Sequence, residues 1–177
     1  GVLSARLAAA GGTSPPTMLE DEKGYVAAFS LEPDLGALTC DLGEAWEILQ
    51  NGFKFFPSIL ASHSPIQATL DVVTKKDLAP EEIESITNET YNTVKSHFSA
   101  KTVTTSMGAR VSVPYCCAVA ALDREVGQAQ FAQERVARED VQRLLANTET
   151  VADPELDKLY PAKFPARVTV TTRDGLS

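Results

Sequence analysis

Histidine occurs only twice in the 177 residues, as His63 and His97, and tryptophan only once. There is no HExxH pair, no GxSxG elbow, no CxxC pair and no Gly-rich phosphate loop, so zinc-protease, serine-hydrolase and P-loop chemistries are excluded. Gly11-Gly12 does not follow a strand and is no dinucleotide fingerprint. Cysteine is scarce too. Cys40, Cys116 and Cys117 lack metal-ligand spacing, and neighbouring cysteines rarely satisfy disulfide geometry. Three free thiols in a reducing compartment are the expectation. No apolar run approaches the roughly 18 residues of a membrane span. The first residues, Gly1-Val2-Leu3-Ser4-Ala5-Arg6, lack a basic n-region and do not read as a signal peptide. Residue 1 falls inside a helical pattern, so the sequence is expected to begin within a larger protein.

Positive charge is short as well. The chain has 16 basic against 24 acidic residues, a net charge of -8. Residues 1–50 hold two basic and eight acidic residues, residues 51–110 six of each, and residues 111–177 eight and ten. With no basic stripe, nucleic acid and anionic membrane surfaces are not expected partners. An anionic ligand would need a local site in the neutral middle.

What is present reads as an α+β mixture rather than a regular βαβ alternation. Val2 to Ala10 reads as a helix stopped by Gly11-Gly12, and Thr17 to Phe29 carries a short helical pattern. Pro33 to Gly43 reads as loop with one helical turn. Asn51-Gly52, between Trp46–Gln50 and Phe53–Phe56, predicts a type I′ hairpin. Ser64-Pro65 predicts a helix start, with Ile66, Thr69, Leu70 and Val73 on its apolar face and Lys75-Lys76 at its end. A strand is expected within Ile83–Thr90, a weak helix over Tyr91–Phe98 and a long helix over Arg110–Val126. A helix over Glu139–Ala146 and strands at Thr148–Ala152 and Arg167–Thr172 complete the pattern, with Asp174-Gly175 as a final turn.

Few residues qualify for chemistry. His63 sits at a helix start, and Lys54 lies at the end of the predicted hairpin. The two can meet at one mouth and form a carboxylate site, where the helix N-terminus also favours anions. They read equally as an exposed strand lysine and a histidine in a capping region. Tyr115, in Val113-Pro114-Tyr115, reads as a buried tyrosine with a satisfied hydroxyl. His97 reads as a surface or capping residue.

Several stretches together are similar to the MmgE/PrpD family, which includes 2-methylcitrate dehydratase, cis-aconitate decarboxylase and iminodisuccinate epimerase. Phe53-Lys54-Phe55-Phe56-Pro57 with Ser62-His63-Ser64-Pro65-Ile66 resembles that family's K-x-Y-P…T-H-x-x-I-D segment. Ala109-Arg110-Val111-Ser112-Val113-Pro114-Tyr115 resembles A-K-F-S-L-P-Y, and Leu78 to Ile86 resembles L-x-P-E-D-I-E-x-I. Asp153-Pro154-Glu155-Leu156 and Pro165 to Val170 resemble the closing strand region, and Gly1 to Phe29 the G-x-x-A-x-L-A-x-x-G-x-T-G-P stretch. Departures fall beside the site: Ser58-Ile59-Leu60 stands where Cys or His is usual, Gln67 replaces an Asp, and Met107-Gly108 precedes the tyrosine segment.

The resemblance implies an all-helical domain with a smaller α+β lid. Residues 1–45 would end the former and residues 46–177 would form the latter, in which helices pack a small sheet. It implies cofactor-free and metal-free lyase or isomerase chemistry on di- and tricarboxylates. Lys54 and His63 would bind substrate carboxylate, and His63 and Tyr115 would be catalytic. The partners it implies are the helical remainder of the same subunit and a second copy in a homodimer. The compartment would be the cytoplasm, or the mitochondrial matrix of a eukaryote. The 177 residues alone are expected to turn over no substrate. The competing expectation is a non-catalytic module of the same ancestry that binds a partner chain.

Overall fold

The structure, a computed structural model, describes residues 1–175. The chain divides into two compact units, residues 1–52 and 53–177. In the first, α1 (Val2–Ala9) ends as the glycine pair predicts. Gly11 takes φ +89°, its N–H reaches the Ala8 carbonyl at 3.0 Å and the Gly12 N–H reaches Leu7 at 2.9 Å. These are the two hydrogen bonds of a Schellman stop. The helical pattern of 17–29 narrows to α2 (Tyr25–Phe29), and a 3-10 turn occupies Gly36–Leu38. This unit has almost no interior: Val2, Leu3, Leu7, Phe29 and Leu31 are exposed, and Gly24 alone is buried.

The expected hairpin is not formed. Glu47–Gln50 is a 3-10 turn, and Asn51 lies at φ -71°, outside the left-handed region that a type I′ turn requires. Ile48, Leu49, Phe53 and Phe55 are all more than two-thirds exposed. A lone two-stranded ribbon with neither a third strand nor a covering helix is marginal in water; of the expected second strand only Phe56 packs against the core, while Phe53 and Phe55 stay exposed.

The second unit is built on a three-stranded mixed sheet of order β2-β1-β3. Its strands are β1 (Ile83–Thr90), β2 (Thr148–Ala152) and β3 (Ala166–Thr172). β1 runs parallel to β2, with Ile86 opposite Thr148, and antiparallel to β3, with Ile86 opposite Val170. Alternate residues of β1 — Ile86, Asn88 and Thr90 — are buried, so one face of the sheet carries the core. The Asn88 amide and the Thr150 hydroxyl, opposite one another in register, have no hydrogen-bond partner among the described residues.

Helices α3 (His63–Lys75) and α6 (Val113–Asp123) pack into that core, to which Phe131, Val141, Leu144 and Leu145 also contribute. In α3 the predicted apolar face holds, with Ile66, Thr69 and Val73 buried and Leu70 half-buried. Its start differs from expectation: Ser62, not Ser64, is the N-cap residue. The Ser64 hydroxyl donates to the distant Phe164 carbonyl at 2.5 Å, and Pro65 sits harmlessly in the first turn, where N–H groups lack helical partners. α6 is buried on every side from Val113 to Leu122, as a helix without a polar face must be.

The helix expected over Arg110–Val126 is broken at Ser112, between α5 (Ser106–Val111) and α6. Pro114 is the cause. It has no N–H to give the carbonyl four residues back, and its ring would clash there, so it is tolerated only in a first turn. Ser112 accordingly adopts an extended conformation, and its hydroxyl accepts the Tyr115 N–H at 3.2 Å. α6 ends at Asp123 rather than at Gly127, because Arg124 takes the left-handed position at φ 52°.

The remaining helices are α4 (Asn92–His97), α7 (Gln133–Val136), α8 (Glu139–Ala146) and α9 (Pro154–Asp157). Arg135 ties α6 to α7 and α8 through Asp123 and, at 2.9 Å, Asp140. No described helix is long and apolar enough to cross a membrane.

Candidate functional site

Lys54 stands on the loop that leads into α3 and is exposed. The loop is shaped by its own hydroxyls. The Ser58 and Ser62 oxygens lie 2.7 Å apart, and the Ser62 hydroxyl donates to the Ile59 carbonyl at 2.7 Å. They fold residues 60–62 into a 3-10 turn that delivers His63 to the first position of α3. The Phe56 ring meets the His63 ring edge-on at 5.3 Å.

His63 is the unusual group. Its Nε2 is buried without a hydrogen-bond partner among the described residues. Burial first, and the Lys54 ammonium second, hold its pKa below the ordinary value of 6.5, while the Phe56 and Ser58 carbonyls oppose them. At neutral pH the arrangement is therefore a neutral imidazole near the Lys54 cation. The cation can hold a carboxylate, and the imidazole can take up a proton.

Lys54 also lines a cleft of about 270 Å³, together with Pro57, Ser58, Ile59, Met107 and Arg110. His63 is not among the residues lining this cleft. A larger cleft of about 580 Å³, between Val72 and Leu78 of the α3 end and Val170 of β3, contains none of the candidate residues.

Tyr115 does not line the cleft either. It is wholly buried, and its hydroxyl donates to the Gln130 carbonyl at 2.5 Å. Burial pushes the phenol far above its usual pKa. Tyr115 is thus a core residue, apart from Lys54 on the exposed loop. The Val113-Pro114 context fixes Tyr115 in the first turn of a helix that is apolar all round, which leaves it no open side. Replacing Tyr115 by phenylalanine should cost about 1–3 kcal/mol of stability, because it strands the buried Gln130 carbonyl. Urea unfolding checks this; a variant as stable as the parent would show that the hydroxyl is not needed there.

His97 ends α4, exposed, with Nδ1 3.1 Å from the Thr93 carbonyl. Cys40 is exposed, whereas Cys116 and Cys117 are fully buried, and burial raises both of their thiols to about 12. At pH 8 a maleimide should label Cys40 alone in the native protein and all three cysteines after denaturation. Two or more adducts on the native chain, counted by mass spectrometry, would contradict the buried placement.

Arg110 was not singled out by sequence. It borders the cleft, donates to the Pro57 carbonyl and to Gln128 Oε1, and lies over the Phe131 ring at 4.9 Å. The signal that marks it is Pro114, four residues on, which leaves the Arg110 carbonyl without a helical donor.

Compared with known families, residues 56–177 match the model described as the MmgE/PrpD C-terminal domain. No curated protein matches the chain.

Proposed function

From the premise that this chain belongs to the MmgE/PrpD family, whose C-terminal domain it contains, we propose that it carries part of the substrate site of a cofactor-free lyase or isomerase acting on di- or tricarboxylates. The observation that carries this reading is the Lys54–His63 pair: an exposed cation near a neutral imidazole whose Nε2 has no hydrogen-bond partner among the described residues.

In the proposed reaction, Lys54 anchors one substrate carboxylate. His63 removes a proton from the carbon next to a carboxylate, and the C–H electron pair spreads into that carboxylate. The developing negative charge is what a preorganised cation stabilises more than it stabilises the ground state. Return of a proton to the opposite face gives epimerisation, and departure of a neighbouring hydroxyl as water gives dehydration. In the decarboxylation variant, the electron pair of the broken C–C bond stays on carbon and is protonated as CO₂ leaves. The remaining groups come from the helical domain of the same subunit, over which this domain closes as a lid. The whole protein works as a homodimer in the cytoplasm or mitochondrial matrix. Tyr115 acts as a proton donor only when its hydroxyl leaves the Gln130 carbonyl; as it stands, it holds that turn in place.

A second reading, a non-catalytic module that binds a partner chain, draws on the exposed Phe53, Phe55 and Leu60 around the same loop. Incubating the full gene product with 2-methylcitrate, cis-aconitate and iminodisuccinate separates the two. Conversion of one of them by the full product, with none by the 177 residues alone, is expected. Neither binding nor conversion of any would leave the second reading standing.

A further inference from the structure

We propose that Arg110 is the positioning residue of this site, clamping the loop that carries Lys54 and His63 to the turn that receives the Tyr115 hydroxyl; the functional part of this inference rests on the carboxylate-site reading above.

The argument begins with Pro114. Because it cannot donate to the carbonyl four residues back, the Arg110 carbonyl is free, and the Ile59 N–H takes it at 3.0 Å. The side chain of the same residue donates through Nη1 to the Pro57 carbonyl at 2.5 Å. Arg110 therefore grips the loop twice, on either side of Ser58, with one acceptor and one donor. Lys54 lies three residues before Pro57, and His63 lies four residues after Ile59, so the clamp stands between the two site residues.

The other half of the guanidinium faces away from the loop. Nη2 donates to Gln128 Oε1 at 2.7 Å, and the plane lies over Phe131. Gln128 and Phe131 bracket the 3-10 turn Ala129–Phe131, whose Gln130 carbonyl accepts the Tyr115 hydroxyl. One side chain thus connects the Lys54–His63 loop with the Tyr115 turn. Only the planar fork of arginine can bond in two directions and stack at once, so lysine is not an equivalent replacement. The Pro57 carbonyl, Gln128 and Phe131 are all neutral, so the charge of the guanidinium adds to that of Lys54 along the cleft.

The test uses the full gene product with Arg110→Ala, Arg110→Lys and Gln128→Ala, citrate as the probe, and Lys54→Ala as the reference variant. Citrate affinity is read by calorimetry, and the His63 ring is titrated by NMR. Arg110→Ala and Arg110→Lys should each weaken citrate binding roughly tenfold. Both should move the His63 titration toward its ordinary range as the loop opens to water, and millimolar guanidinium should restore the alanine variant. If Arg110→Ala does not fold, Gln128→Ala, which removes one anchor, should give the same changes at smaller size. Wild-type citrate affinity and an unmoved His63 titration in the Arg110 variants, with Lys54→Ala still impaired, would overturn the clamp and leave the carboxylate site standing. Unaltered binding in Lys54→Ala, with a moved His63 titration in Arg110→Ala, would overturn the carboxylate site and leave the clamp standing.

Discussion

Replacing Lys54 by alanine in the full gene product should weaken citrate binding by about 1.5–3 kcal/mol, or roughly 10- to 150-fold, the range for a charge-assisted hydrogen bond. The same change should raise the pKa of His63. The sign follows from the causes. A neighbouring ammonium disfavours the imidazolium, so removing it lets the ring protonate at higher pH, while burial, the larger cause, remains. His63 should therefore move toward 6.5 without reaching it. A bound carboxylate acts in the opposite sense to the ammonium. It favours the imidazolium, so citrate binding should take up a proton and strengthen as pH falls from neutrality toward the lowered pKa of the free ring. Calorimetry in two buffers of different ionisation enthalpy reads the proton uptake directly. Unchanged affinity in Lys54→Ala, together with an unmoved His63 titration, would remove Lys54 from the site.

The second large effect is on stability. Ile86 is fully buried in the central strand, facing Thr148 on one side and Val170 on the other. Truncation to alanine removes three carbons from a position whose two flanking strands are pinned by backbone pairing. The cavity cannot collapse easily, and a loss of about 2–5 kcal/mol is expected. Val151, on edge strand β2 and 45% exposed, is the internal control. Its alanine variant should stay within about 0.5 kcal/mol of the parent. Equal urea midpoints for Ile86→Ala and Val151→Ala would deny β1 its central place.

Where periodicity had a tertiary surface to serve, it was readable. The span of β1, the valine–threonine alternation of β3 and the apolar face of α3 and α8 were legible because the sheet and the helices bury those faces against each other. The Asn51-Gly52 turn misled because most of its apolar flanks, Ile48, Leu49, Phe53 and Phe55, stay exposed, and local turn chemistry alone does not hold two strands. The helix break at Ser112 was legible in principle from Pro114, but the run of apolar residues after it dominated the reading. The site divides the same way. Lys54 and His63 lie on one loop, so sequence proximity brought them together. Tyr115 lies beyond three further elements, and its direction was decided by the packing of α6 against the Gln130 turn. Nothing local marks Asn88 as buried, because that depends on its place in the strand alternation. Arg110 escaped notice because a clamp is defined by its partners, and these lie from Pro57 to Phe131.

The strand order carries one more consequence, for the order in which the chain acquires its structure. β1 precedes the other two described strands in the chain, yet it lies between them in the sheet. Both of its hydrogen-bonding edges wait for segments far downstream, β2 from Thr148 and β3 from Ala166. No sheet contact is local, so every one needs a long loop to close first, and contact order is correspondingly high. On the ribosome, Ile83 to Thr90 emerges with two unpaired edges and an apolar face, and both edges are covered only once β3 has been made. Completion of this sheet therefore waits for β3, and a nascent chain stalled before Ala166 presents an open edge to any other extended segment nearby.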